Sequence, residues 1–169
     1  MDLFGNNDTG ADFSPCGKYR YKLWRIWDPD KPRAMCIGLN PSTANHEKND
    51  ATIRYLIQML TVLGYGGFYM TNLFAIISSK PEVLLTCADP LGDNDLKLDE
   101  VAAICDDVIF CWGNFRQAKD RIEAVKPKFK RAKCFGFNAN GTPFHPLAMM
   151  PRNGRDPNSP VLLPWQATK

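Results

Sequence analysis

A chain of 169 residues, 44% apolar and carrying a net charge of +3, is long enough to bury one sizeable core and is expected to form one domain. Its 21 basic and 18 acidic residues permit an anionic partner without demanding one, and lack the dense basic patch of a dedicated duplex binder. No apolar run approaches the roughly 20 residues of a membrane span, and the opening MDLFGNNDTG has no signal-peptide layout, so a cytoplasmic protein without membrane contacts is expected.

In chain order, residues 1–15 read as a flexible lead and residues 16–169 as a single α/β domain. The aromatic and basic stretch 18–28 is expected to be a strand, and the apolar run 33–39 a short buried one. Apolar residues at 53, 56, 57, 60 and 63 then mark one helical face, with Asp50 as N-cap and Gly64 as stop. Residues 67–75 form the next strand, and Pro81 opens a short helix ending near Cys87. A helix over 93–105, a strand over 108–112, a helix over 114–125 and a strand over 132–137 follow. The tail from Gly141 holds six of the thirteen prolines and reads as extended. Short apolar strands alternating with helices predict a parallel sheet covered on both faces.

The six cysteines (16, 36, 87, 105, 111 and 134) include no Cys-x-x-Cys pair, and free, largely buried thiols without a metal or cofactor are expected. The acidic loop at 88–95 lacks the spacing of a calcium loop and reads as a helix start. His46, Glu47 and Asp50 supply only one histidine and read as solvated surface.

In parallel sheets ligands gather at the carboxyl ends of the strands. The first predicted strand ends on Asn40-Pro41-Ser42-Thr43, the second carries Asn72, the third gives Trp112-Gly113-Asn114, and the fourth leads to His145-Pro146. Three carboxamides, two hydroxyls, an indole and an imidazole would then meet on one edge with no acid at the centre. Such a set suits a neutral heterocycle: an asparagine can accept from and donate to one base edge at once, and a histidine can donate to an oxygen on which charge develops. Each group alone also fits plain turn chemistry. Ser42 and Thr43 either bind phosphate or cap a turn. Arg54 either reaches back to a phosphate or is a solvated or Asp-paired side chain. The interleaved rings and cations from Tyr19 to Trp27 form either a stacking platform for single strands or a covering strand with a basic solvent face. The basic run 126–133 falls between a helix and a strand, hence at the edge opposite the pocket.

The segments CGKYRYKLWRIWD, GLNPSTA, DATIRY, YGGFYMTNLFA, DPLGDND, CWGNFRQAKDR and GTPFHPL resemble, in order, the motifs of the bacterial and phage domain-of-unknown-function family DUF1643, over residues 16 to about 148. More distantly, Gly38-x-Asn40-Pro41, the strand-end Asn72, Gly113 and His145-Pro146 are similar to the uracil-DNA glycosylase superfamily. That likeness implies a three-layer α/β/α fold around four parallel strands. It gives Asn40 the water-positioning place, Asn72 the base-reading place and His145 the leaving-group place. The chain departs from the most active branch by having Asn40 rather than aspartate, and Leu147 follows His145-Pro146. An amide can orient water but cannot take its proton at neutral pH. Two functions follow as expectations. One is a glycosylase-like enzyme acting on a nucleobase, nucleotide or modified DNA, with Asn40 and His145 catalytic and Asn72, Pro41, Ser42, Thr43, Arg54, Trp112 and Asn114 binding. The other is a non-catalytic nucleotide-binding or partner-blocking module, as in phage or bacterial defence.

Overall fold

The computed structural model describes residues 8–42 and 47–165. Among them lie seven strands, β1 (Asp8–Phe13), β2 (Arg20–Ile26), β3 (Arg33–Gly38), β4 (Gly67–Asn72), β5 (Asp107–Phe110), β6 (Lys133–Cys134) and β7 (Leu163–Pro164). Four helices accompany them, α1 (Ala51–Val62), α2 (Val83–Thr86), α3 (Asn94–Ala102) and α4 (Lys119–Val125). The strands form one mixed sheet in the order β1-β2-β4-β3-β5-β6-β7. The inner run β4-β3-β5-β6 is parallel, and antiparallel strands flank it on both sides.

β3 is apolar throughout because both of its faces are covered. Ala34 and Cys36 join one core with Ile53, Leu56, Met59 and Leu60 of α1. Met35 and Ile37 join a second core with Leu98 and Val101 of α3 and Val125 of α4. The α1 pattern thus buries the face expected from its spacing. Asp50 caps the helix, its carboxylate accepting from the Ile53 amide at 2.9 Å, which satisfies one of the four amides a helix start leaves unpaired.

Three expectations are corrected. Part of the expected lead is β1, which lies along β2. The Trp24 ring covers Gly10, where any Cβ would strike it, and its Nε1–H donates to Asp8 at 2.9 Å. The tail is not simply extended. It makes 3-10 turns at Pro146–Met149 and Pro151–Asn153, is tied to α1 through Gln58 and Asn158 (2.7 Å), and returns as β7 against β6. Two of the three cations of β2 do not join a solvent face, because Arg20 and Arg25 are buried, whereas Lys22 is half-buried. Among the described residues no helix is long and apolar enough to cross a membrane.

Candidate functional site at the carboxyl edge

Where β3 and β4 end, a cavity of about 320 Å³ opens on the α1 side of the sheet. Asn40, Ser42, Asn72, Trp112 and His145 all line it, together with Arg20, Asp50, Thr52 and the serines at 78 and 79. The parallel order brings these sequence-distant residues together, as strand-end ligand sites require.

Asn72 is the last residue of β4, opposite Gly38 of β3. Alternation along the strand turns it to the same face as Met70 and Phe68. Gly38 makes the room: a Cβ there would lie 2.8 Å from Asn72 Oδ1. The backbone beyond is clamped. Asn94 Nδ2 donates to the carbonyls of Asn72 (2.8 Å) and Leu73 (3.1 Å), and Arg121 Nε donates to Leu73 at 2.7 Å while its guanidinium pairs with Asp95. Asn72 is 2% exposed, yet its Nδ2 has no hydrogen-bond partner among the described residues. A buried donor left so costs about 1–3 kcal/mol.

Asn40 is held by its own amide group. Nδ2 donates to the carbonyls of Pro41 (3.1 Å) and Ser78 (2.9 Å), which leaves Oδ1 as the accepting end, without a partner among the described residues. Ser42 donates to Asp50 Oδ2 at 3.0 Å. A carboxylate therefore stands in the cavity wall, correcting the expectation of a site without an acid. The sequence marked Asp50 as a helix cap and as solvated surface; the second reading is corrected, since the packing of α1 turns the cap toward the strand ends.

His145 opens the Pro146–Met149 turn, its Nδ1 accepting from the Leu147 amide at 3.1 Å. The neutral ring then carries its proton on Nε2 as a donor. Burial pushes its pKa below the usual histidine value, partly offset by the Asp50 charge. Gly113, at φ +78°, supplies the left-handed turn after β5 and a close approach, since a Cβ there would meet His145 Cβ at 3.2 Å. Trp112 is 2% exposed, and its Nε1 is a second buried donor without a partner among the described residues.

Arg20 is the residue that strand-end reasoning missed. β2 runs antiparallel to β4, so its start, not its end, arrives at the carboxyl edge, where the Arg20 amide bonds Ala75 O at 3.0 Å. Burial lowers the guanidinium pKa to about 10, against the pull of the Asp50 charge and with the push of Arg25. A cation and an anion thus share the wall, and the cavity suits a neutral ligand. In the sequence Arg20 is an arginine flanked by tyrosines, and nothing there marks it as buried at the strand ends.

Other expected site residues fall elsewhere. Pro41 is buried but outside the lining; its carbonyl accepts from Asn40 and from the Ser78 amide. Arg54 is exposed, and its guanidinium folds back to Asn49 O at 2.9 Å, because its place on α1 faces away from the strand ends. Asn114 is exposed and accepts from Asn140, the left-handed Gly113 having turned the chain outward. Thr43 and His46 lie outside the described residues.

The opposite edge differs. A larger cleft of about 590 Å³ lies there, beside the basic run as expected. Lys128 pairs with Asp99 (3.1 Å) and Lys133 with Asp107 (2.7 Å). Among the described residues no three histidine, cysteine or acidic side chains group as metal ligands, and all six cysteines are free thiols.

No curated protein and no solved structure matches the chain. The pattern of one family, described as a protein of unknown function (DUF1643), matches residues 20–147. That span runs from the buried Arg20 through the strand ends to His145 and the Leu147 amide that holds it, and the chain belongs to this family of unknown function.

Proposed function

We propose that the carboxyl-edge cavity binds a nucleobase and that the protein hydrolyses the N-glycosidic bond that carries it. The parallel strands and their strand-end residues support a three-layer arrangement of the uracil-DNA glycosylase kind. The observation that carries the reading is the pair of buried donors, Asn72 Nδ2 and Trp112 Nε1, of two residues lining one cavity, without partners among the described residues. The carbonyl oxygens and ring nitrogens of a base would relieve that cost.

In this reading Asn40 Oδ1 accepts a hydrogen bond from the attacking water, its amide group being already anchored. The Asp50 carboxylate takes the water's proton as the oxygen bonds to the sugar C1′. The C1′–N bond breaks, its electron pair stays with the base, and the charge that reaches a base carbonyl meets the His145 Nε2–H. General base and charge stabilisation of this sort each contribute about 10²–10³ or more in rate.

The test is base release, followed by mass spectrometry, from nucleosides, nucleotides and oligonucleotides bearing ordinary and modified bases. Release that falls at least a hundredfold in Asp50→Asn, whose side chain still caps a helix, supports the mechanism. No release by the parent protein from any substrate rejects it. The bonds that build Asn40 into its loop favour a second reading, binding of a nucleotide or partner segment without turnover. Affinity without products identifies it.

A further inference from the structure

Beside the cavity, on the α4 side of the sheet, lies a groove of about 400 Å³ with Trp112 in its wall as well. One side is the face of α4 and the turn before it. Arg116, Lys119, Ile122 and Lys126 recur along it at helical spacing. The other side is Trp165 and the turn at Asn140–Thr142. We infer that this groove holds the strand from which the base enters the cavity, so that the substrate is single-stranded nucleic acid rather than a free nucleotide. The inference rests on the nucleobase reading of the cavity.

Three observations carry it. The first is the shared wall: one indole separates a cavity suited to a neutral base from a groove suited to its backbone. The second is charge. Three cations line the groove against one acid, Glu123, and that acid is taken by Lys126 at 2.8 Å. Arg116 and Lys119 are exposed and make no ion pair among the described residues; in the basic run Lys128 and Lys133 are paired, and Lys130 and Arg131, which make no ion pair among the described residues either, lie at the opposite edge. The third is the aromatic surface. Trp165, in the groove wall, packs against Trp112 at 5.9 Å and against Phe137 at 5.6 Å between ring centroids; Phe137, outside the lining, extends this surface and is 37% exposed. Cations following a backbone, with rings on which bases stack, are the makings of a sequence-tolerant single-strand site. A single line of cations matches one phosphate backbone, not the two of a duplex.

Fluorescence anisotropy of a labelled 12-nucleotide single strand, against its duplex and against the mononucleotide, tests the inference at several salt concentrations. The strand is expected to bind more tightly than either. Arg116→Ala/Lys119→Ala, on exposed positions outside the cavity, is expected to weaken the strand at least fivefold and to flatten its log K against log salt slope by about 1.4. Mononucleotide affinity should hold. Phe137→Ala should weaken the strand and spare the mononucleotide too. Strand affinity within twofold of the parent in both variants overturns the inference while the cavity reading stands. So does a strand that binds no better than the mononucleotide, or a duplex that binds equally. If neither strand nor mononucleotide binds, both readings fall.

Discussion

The two edges of the sheet carry similar polar chemistry and treat it in opposite ways. At the amino edge of the parallel strands Tyr65 donates to Asp107 at 2.7 Å, Lys133 pairs with the other oxygen of that carboxylate, and Asp106 accepts from the Arg33 amide at 2.8 Å. At the carboxyl edge Asn72 and Trp112 keep buried donors without partners among the described residues, behind a backbone fixed by Asn94 and Arg121. Folding alone rewards the first arrangement and penalises the second. An edge that holds its polar groups rigid and leaves them unsatisfied is shaped for something other than its own stability.

The comparison is broken most sharply by chemistry. His145→Ala should leave binding of the base nearly unchanged and lower single-turnover release by about 10²–10³, because its donor acts on charge that exists only as the bond breaks. Equal losses in affinity and rate would place His145 in ground-state binding instead.

Next in size is the amino edge. Tyr65→Phe removes a bond to a carboxylate and should destabilise the fold by about 1–3 kcal/mol in chemical denaturation, with base binding intact. Burial, then the bond and charge of Asp107, raise the Tyr65 pKa well above its usual value. A raised folded pKa gives stability that is full below the unfolded value near 10 and is lost as pH rises through the folded one. The parent should therefore lose stability in that alkaline window, and Tyr65→Phe should lack this component. Burial also raises Asp107, but Lys133 and Tyr65 outweigh it and the net shift is downward. Its contribution is present above the unfolded value near 3.9 and fades as pH falls through the folded one.

A smaller effect is the proton on His145. Its lowered pKa means that neutral imidazole persists to pH below about 6.5, with the linked stability present above the unfolded value and lost as pH falls from there through the folded value. An imidazole resonance that shifts below that pH in the parent and vanishes in His145→Ala is the expected NMR result. The smallest effects belong to Arg54→Ala and Asn114→Ala. Both lie outside the cavity, and each should change stability and base affinity by about 0.5 kcal/mol or less.

Much of this was legible in the sequence because local rules and topology agree. The run Ala34 to Ile37, the helical face from Ile53 to Leu60 with its Asp50 cap, and the four strand ends identify the parallel core and bring Asn40, Asn72 and His145 to one cavity. What depends on pairing partners was not legible. The segment DTGADF carries no apolar alternation and becomes β1 only because β2 offers it an edge. Arg20 reaches the cavity only because β2 runs antiparallel to β4. Arg54 and Asn114 sit beside the right motifs, but side-chain direction on a helix and one left-handed glycine send them outward.

The most direct measurement is calorimetric titration of the parent and of Asn72→Leu with a panel of nucleobases and nucleosides, alongside thermal melting. Leucine keeps the branched heavy-atom outline of asparagine and removes the amide that has no partner among the described residues. The account predicts that the parent binds at least one base, that Asn72→Leu weakens it by about 1–3 kcal/mol, and that the variant melts at or above the parent's temperature. A parent that binds none of the panel, or a variant that binds the base equally well, would contradict it.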